Sequence, residues 1–325
     1  MFKNKMLLSL VILMVVALAG GGYLYLKSQP PKQLLTVKVG TMAIVDCLQI
    51  FVAEEKGFFK EEGLSVEATP MAGGAVIAPA VESGELDIGF SNLVSIIIAH
   101  EKGSDFKFLT PGAFKDEDKG NFVLVVAKNS NIANPKDLEG KTIAINTLQG
   151  ILEMDMKAWA EKNSVEYSKL KVVAVPFPNM ESALESKQVD VALIVEPYTT
   201  IGINNGSIRI FDARVLDAIA SRLMISSWFA KESWLESNPN EAKAFRKAII
   251  KANTYIQSHP QEMPEILSKY TRLQKEIASQ TVINAYMNDI LKKDIQVMID
   301  ASYKYGYIKQ SFDARDIVAQ DLPLK

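Results

Sequence analysis

From Leu34 onward, short apolar runs alternate with stretches whose apolar positions recur at helical spacing. Residues 35–40 predict a strand, and residues 46–60 a helix with Leu48, Phe51, Val52 and Glu55 on one face. Strand 64–69, helix 74–83, strand 86–90 and helix 93–101 continue the alternation. Gly57, Gly84 and Gly103 follow the three helices, and glycine ends helices because it takes the left-handed conformation without a Cβ penalty. A second series opens with the apolar strand 121–128. It continues through strand 141–146, helix 151–163, strand 170–175, helix 180–186, strand 189–195, short helix 197–204 and strand 208–211. One more apolar strand spans 222–231, after which 231–308 is nearly all helical in pattern, with no convincing strand.

Repeated strand–helix alternation predicts an α/β protein with mainly parallel sheets covered on both faces. Two such series followed by a helical tail without a sheet of its own predict two lobes. The chain builds lobe one over 34–125 and lobe two over 126–224. It then returns, and 225–325 completes lobe one with C-terminal helices. Two crossing strands make a hinge, and the cleft between lobes is where a ligand belongs.

Composition changes this picture little. The 325 residues are 48% hydrophobic and 23% charged, as in ordinary globular proteins, and a net charge of −2 gives no basic surface for nucleic acid. One cysteine, Cys47, forms no internal disulfide, and two distant histidines, His100 and His259, supply a metal centre or an acid–base pair poorly. No cofactor and no metal are expected. The amino terminus adds more. Lys3 and Lys5 precede residues 6–26, which carry no charge, and Ala17-Leu18-Ala19 offers a small-residue cleavage site. Residues 1–27 therefore read as a signal peptide or, since the apolar run is long enough to span a bilayer uncut, a membrane anchor. Residues 28–32, with Pro30 and Pro31, read as a stiff linker.

The stretches AEEKGFFKEEGLSVEATPMAGG and AVESGELDIGF resemble the opening lobe of the sulfonate, nitrate, taurine and thiamine-precursor (NMT1/THI5-like) binding proteins. DLEGKTIAI and ALESKQVDVALIVEP resemble the second lobe, and SNPNEAKAFRKAIIKANTYIQSHPQE the C-terminal helices. The resemblance runs over residues 36–315. It implies a type II periplasmic-binding-protein fold that closes around one small-molecule ligand. It also implies docking to an ABC permease with its cytoplasmic ATPase, in a periplasmic or otherwise extracytoplasmic setting. Such a chain is expected to be a monomer.

In open α/β sheets, ligands sit beyond the carboxyl ends of the strands, where helices begin. At the first such junction Asp46 either faces a ligand amine or caps the helix, with Gln49 completing a capping box. Gly73 and Gly74 permit close backbone approach to a ligand. Of Ser91 and Asn92, one caps the following helix and the other is left for the ligand. In the second series Thr147 is a candidate cap, while Gln149 and the Gly150 N–H are candidate ligand contacts; the resemblance also implies a ligand-contacting helix start here. Asn179 reads as a further cap. Glu196 precedes Pro197, which suits a first helical turn, and glutamate is not a favoured N-cap, so its carboxylate is a candidate ligand group. Trp228 is either a flat wall for the ligand or core. Helix N-termini favour anions, whereas Asp46 and Glu196 favour an amine. With no arginine or lysine at the junctions, apart from Lys141 at a strand start, the balance tips to a neutral or amine-bearing molecule. The rival readings are an enzyme like the thiamine-pyrimidine synthases on this fold and a membrane-tethered sensor module.

Overall fold

The computed structural model describes residues 34–115, 122–320 and 322–325. The chain divides into one unit of Met1–Leu35 and another of Thr36–Lys325. The segment expected over 1–27 and the linker over 28–32 lie outside the described residues. Among the described residues no helix is long and apolar enough to cross a membrane.

The first series forms β1 (Leu35–Thr41), a 3-10 turn (Val45–Cys47), α1 (Leu48–Glu55), α2 (Phe58–Glu61), β2 (Leu64–Pro70), α3 (Gly74–Glu82), β3 (Ile88–Asn92), α4 (Leu93–Glu101) and β4 (Phe106–Pro111). The single helix predicted over 46–60 is broken because Gly57 adopts φ 73°, a left-handed turn that separates α1 from α2. Strand β4 escapes the pattern reading. Its sequence FKFLTP is short and lies between a glycine-terminated helix and Pro111-Gly112, so its two-residue period barely registers. The second series forms β5 (Val123–Ala127), β6 (Thr142–Ile145), α5 (Ile151–Lys162), β7 (Lys171–Ala174), α6 (Phe177–Glu185), β8 (Val191–Ile194), α7 (Tyr198–Asn204) and β9 (Ile208–Asp212). The chain returns through β10 (Ser226–Lys231) into α8 (Glu232–Ser237), α9 (Pro239–Ser258), α10 (Met263–Thr271), α11 (Lys275–Ala278) and α12 (Lys292–Lys304).

Two five-stranded sheets result, ordered β2-β1-β3-β10-β4 and β7-β6-β8-β5-β9. Both are mixed, where the sequence predicts mainly parallel sheets. β1–β3, β6–β7 and β6–β8 are parallel, as helical crossovers require. β10 runs antiparallel to β3 and β4, and β5 antiparallel to β8 and β9. These are the two strands that the chain enters on passing from one sheet to the other.

The two passages are bound to each other. Ile225 N–H donates to Ala113 O (2.8 Å), Lys115 N–H to Leu223 O (3.0 Å), and Lys115 Nζ pairs with Asp217 (2.9 Å) and Ser221 O (3.0 Å). The returning strand is also anchored by Arg222, whose guanidinium grips the buried Asp294 carboxylate through Nε and Nη2, both at 2.8 Å. The helical tail packs on the first sheet. Ala242, Phe245, Ala248, Ile249, Ala252 and Ile256 make one buried stripe along α9. Phe245 stacks on Phe59 at 5.5 Å and meets Trp228 edge-on at 5.6 Å.

Candidate functional site

A cavity of about 40 Å³ lies where the helix-starting ends of both sheets meet. The first sheet contributes Met42, Ile44 and Asp46 after β1, Phe90 and Asn92 from β3, Gly74 from α3, and Ile225 and Ser226 at the entry to β10. The second contributes Phe122 before β5, Asn146 after β6, Ile151 and Leu152 from α5, Phe177 from α6 and Val195 after β8. The two sides touch beside it. A Cβ placed on Gly73 would stand 3.9 Å from both Asn146 Nδ2 and Thr147 Cγ2, and one on Gly150 3.8 Å from Asn92 Nδ2.

Asp46 lies in the 3-10 turn before α1 and lines the cavity. It is not the cap the capping-box alternative supposes. Cys47 occupies the position before α1, and no side chain caps that helix. The Asp46 carboxylate instead accepts a hydrogen bond from Asn284 Nδ2 (2.5 Å), on the loop before α12. Burial pushes its pKa up to about 6, against the lowering effect of that hydrogen bond. Burial likewise pushes the neighbouring Cys47 thiol up, so it stays un-ionised and acts as a small apolar filler.

Gln49 points inward. Its Nε2 donates to Pro111 O (3.1 Å) and Asn253 Oδ1 (2.6 Å), and its Oε1 accepts from Trp228 Nε1 (2.9 Å). This overturns Trp228 as a ligand wall. It is 0% exposed, packed edge-on against Phe90 at 4.9 Å, and belongs to the core of the first lobe.

At the β3–α4 junction Asn92 takes the cap, accepting from Ser95 N–H (3.0 Å) and donating from Nδ2 to Ser95 Oγ (3.0 Å). Ser91 is fully buried, and its Oγ has no hydrogen-bond partner among the described residues. It faces the start of α3 so closely that a Cβ on Gly74 would lie 2.2 Å from it. Only glycine permits that approach of helix start to hydroxyl.

In the second lobe Thr147 does not cap α5; Gly150 stands before the helix without a side-chain cap. Gln149 is exposed at φ 54°, its N–H is taken by Glu153 Oε2 (2.6 Å), and it is not among the described lining residues. Asn179 lies inside α6, which begins two residues earlier at Phe177, so it caps nothing. Phe177 stacks on Tyr198 at 5.8 Å.

Glu196 is buried but does not line the cavity; Val195, its neighbour, does. Its carboxylate accepts from Thr200 N–H (3.1 Å) and Thr200 Oγ1 (2.9 Å). Burial raises its pKa despite these donors. His100 is half-buried against Phe312 (4.9 Å) rather than lying open on the surface, and His259 stacks on Tyr255. Neither lines the cavity. Among the described residues no group of three or more His, Cys, Asp or Glu side chains is placed to hold a metal ion.

Of the ten residues singled out from sequence, the cavity thus brings together Asp46, Gly74 and Asn92, with Gly73, Ser91, Thr147 and Gly150 at its edge. Sequence reasoning missed the apolar lining. Met42, Ile44, Phe122 and Ile225 follow or precede strands, as a ligand site requires, but apolar residues there look like core. Asn146, the polar residue ending strand 141–146, carried the one available signal in the second lobe.

Two mixed sheets joined by a double crossing, with a cavity where their helix-starting ends meet, make a two-lobed periplasmic-binding-protein fold. The structure superposes on the periplasmic aliphatic sulphonate binding protein SsuA from Escherichia coli with a TM-score of 0.68 (17% identity, 88% of this chain and 98% of that one). For the periplasmic nitrate-binding protein NrtA from Synechocystis PCC 6803 the TM-score is 0.74 (18% identity, 88% and 85%). The model of the NMT1/THI5 like family matches residues 45–263, and the chain belongs to that family. Its relatives include a Bacillus subtilis protein described as aliphatic sulfonates-binding, 24% identical over 98% of this chain and 95% of its own length. They also include a 4-amino-5-hydroxymethyl-2-methylpyrimidine phosphate synthase of Aspergillus parasiticus, 22% identical over 65% of this chain and 63% of its own length.

Proposed function

We propose that this chain is an extracytoplasmic solute-binding protein that captures a small molecule between a lobe holding β1–β4 and β10 and a lobe holding β5–β9, the expected boundary at residue 126 moving ahead of β5, and delivers it to an ABC permease and its ATPase. The observation that carries this reading is the cavity itself, walled by both lobes where strands end and helices begin. At about 40 Å³ it accommodates no more than a few waters, so an organic ligand enters only as the lobes part. The relatives described as sulfonate-binding support the transport role. The synthase reading finds less support. Among the described lining residues Asp46 is the one acid or base, so no acid–base pair is assembled.

The ligand we infer is neutral or amine-bearing, with an apolar body. Its polar edge meets Asp46, Asn92, Asn146 and Ser226, and its body the surrounding Met42, Ile44, Phe90, Phe122, Ile151, Leu152 and Phe177. No Lys or Arg stands among the described lining residues to pair with a fully ionic anion.

A thermal-shift screen over amines, pyrimidines, aromatic acids, sulfonates and nitrate tests both statements. Amines or pyrimidines should raise Tm by mass action and be recovered unchanged. Conversion of the ligand would overturn the binding role, and a shift with sulfonates or nitrate alone would overturn the ligand class. Asp46→Asn should weaken an amine ligand about 10- to 150-fold by calorimetry, the usual cost of a lost charged hydrogen bond.

A further inference from the structure

Beside the cleft cavity of about 40 Å³, a second cavity of about 130 Å³ lies within the second lobe. Val125 and Ile194 line it from β5 and β8, Met180 and Leu184 from α6, and Ile201 from α7. Every described lining residue except Glu181 is apolar or aromatic. The Glu181 carboxylate is already engaged, accepting from Asn205 Nδ2 (2.8 Å) and Ser207 Oγ (2.5 Å). A cavity so lined offers water few partners, and the side chains around it forgo contacts that close packing would give. The two cavities share a wall. Ile194 lines the inner one and the next residue, Val195, the cleft, while Phe177 lines both. Phe177 is the first residue of α6, so no earlier helical turn restricts its χ1. Its ring stacks on Tyr198 (5.8 Å, 18° between planes), which also lines the inner cavity. Bordered by a cavity on either side, the Phe177 ring can turn without moving the backbone.

We propose that the inner cavity is a tail subsite: the ligand's amine meets Asp46 in the cleft, its apolar chain passes Phe177, and the end of that chain lies between α6, α7 and the sheet. The ligand class narrows to amines that carry an extended alkyl or arylalkyl chain, and Phe177 sets how much of the chain is admitted. Size is the reason. The cleft cavity alone has room for no more than a few waters, so an organic ligand needs further space. The larger cavity adjoins it and offers almost purely apolar contact, which suits a hydrocarbon chain and gains with each methylene buried. Asp46 and Phe177 line the same cleft cavity, so head and tail are served from one point. The proposal rests on the reading of the cleft as the site of an amine-bearing ligand, and its test separates the two.

The test is calorimetry on the full chain with n-alkylamines from propylamine to octylamine. Affinity should rise about four-fold per added methylene once the chain reaches Phe177, and level off when the inner cavity is full. Ile201→Phe and Leu184→Phe fill that cavity, one from α7 and one from α6. Both should bind propylamine as the wild type does and lose the rise with length. Phe177→Ala opens the shared wall and should start the rise at shorter chains. Circular dichroism identifies any variant that fails to fold, and either filled variant alone gives the reading. An affinity flat with chain length in the wild type overturns the tail subsite while amine binding stands. A rise that persists in a folded filled variant does the same. If no amine binds, the ligand class falls, and n-alkanols and n-alkylsulfonates of the same lengths replace the amines. A rise with length that Ile201→Phe or Leu184→Phe abolishes then supports the subsite; no rise, or no binding by any series, overturns it.

Discussion

The two walls of the cleft are built on the same plan and carry different chemistry. On the first-lobe side stand Asp46, Asn92 and Ser226, with the unpartnered Ser91 hydroxyl just behind. Among the described residues of the second-lobe side Asn146 is the polar one; the rest are Phe122, Ile151, Leu152, Phe177 and Val195. Hydrogen bonds fix orientation and identity, whereas apolar contact is tolerant and grows with area. The contrast assigns selection of the ligand to the first lobe and its enclosure to the second. One group breaks the division. Asp155 lies in α5, one turn beyond the lining residues Ile151 and Leu152. It is fully buried, and neither of its oxygens has a hydrogen-bond partner among the described residues.

The largest effect tests the first-lobe wall. Asp46 has a raised pKa in the folded protein, about 6, above its value in an unfolded chain. The groups that titrate around it are Cys47 and Tyr286, both held neutral by burial. A raised carboxyl stabilises the fold fully below its unfolded pKa and loses that contribution as pH rises through its folded one. The ligand-free protein should therefore lose up to about 3 kcal/mol between pH 4 and 7, read by chemical unfolding. Across the same window the affinity for a permanently charged amine should rise, because the carboxylate is the binding form. Parallel rather than opposite trends would remove Asp46 from the ligand contact. An intermediate effect tests the exception. Burial holds Asp155 well above the usual carboxylate range, so the cost of keeping it in the core grows as pH rises above its unfolded value. Asp155→Leu should gain about 1–3 kcal/mol at pH 8 and progressively less toward pH 4. Destabilisation at both ends of the range would show that the carboxyl has a structural partner. The smallest effect tests the enclosing wall. Ile151→Val trims one methylene and should weaken ligand binding by no more than about five-fold. The loss should be the same at pH 5 and pH 8; a pH-dependent loss would mean that the second lobe also selects.

Legibility along the chain followed the range over which each signal acts. The start of α4 and the end of α1 were readable because their determinants are local, whereas Thr147 and Asn179 do not cap the helices they precede in the reading. Asn92 caps α4 through Ser95, three residues on, and Gly57 turns the chain on its own. The stripe of α9 was readable because its period is written in one segment. Asp46 and Gln49 were not, although they are close neighbours on a turn of familiar pattern. Asp46 is held by Asn284 and Gln49 by Trp228 and Asn253, all roughly 180 to 240 residues away in sequence. Strand direction in β5 and β10 was equally hidden, because it depends on which sheet the chain has just left.

The amino-acid sequence by itself determined the alternation of strands and helices, the family, the amphipathic tail and the places where a ligand could be met. Local periodicity and turn chemistry suffice for these, since both act within a few residues. Tertiary structure decided which side of each junction faces the cavity. Val195 lines it and Glu196 turns away; Ser91 is left without a partner while Asn92 is spent on a cap; Trp228 is core. The physical reason is that a junction residue's direction is set by what packs on it from the other lobe and from the tail. Those partners become neighbours only once the two crossings have brought the sheets together.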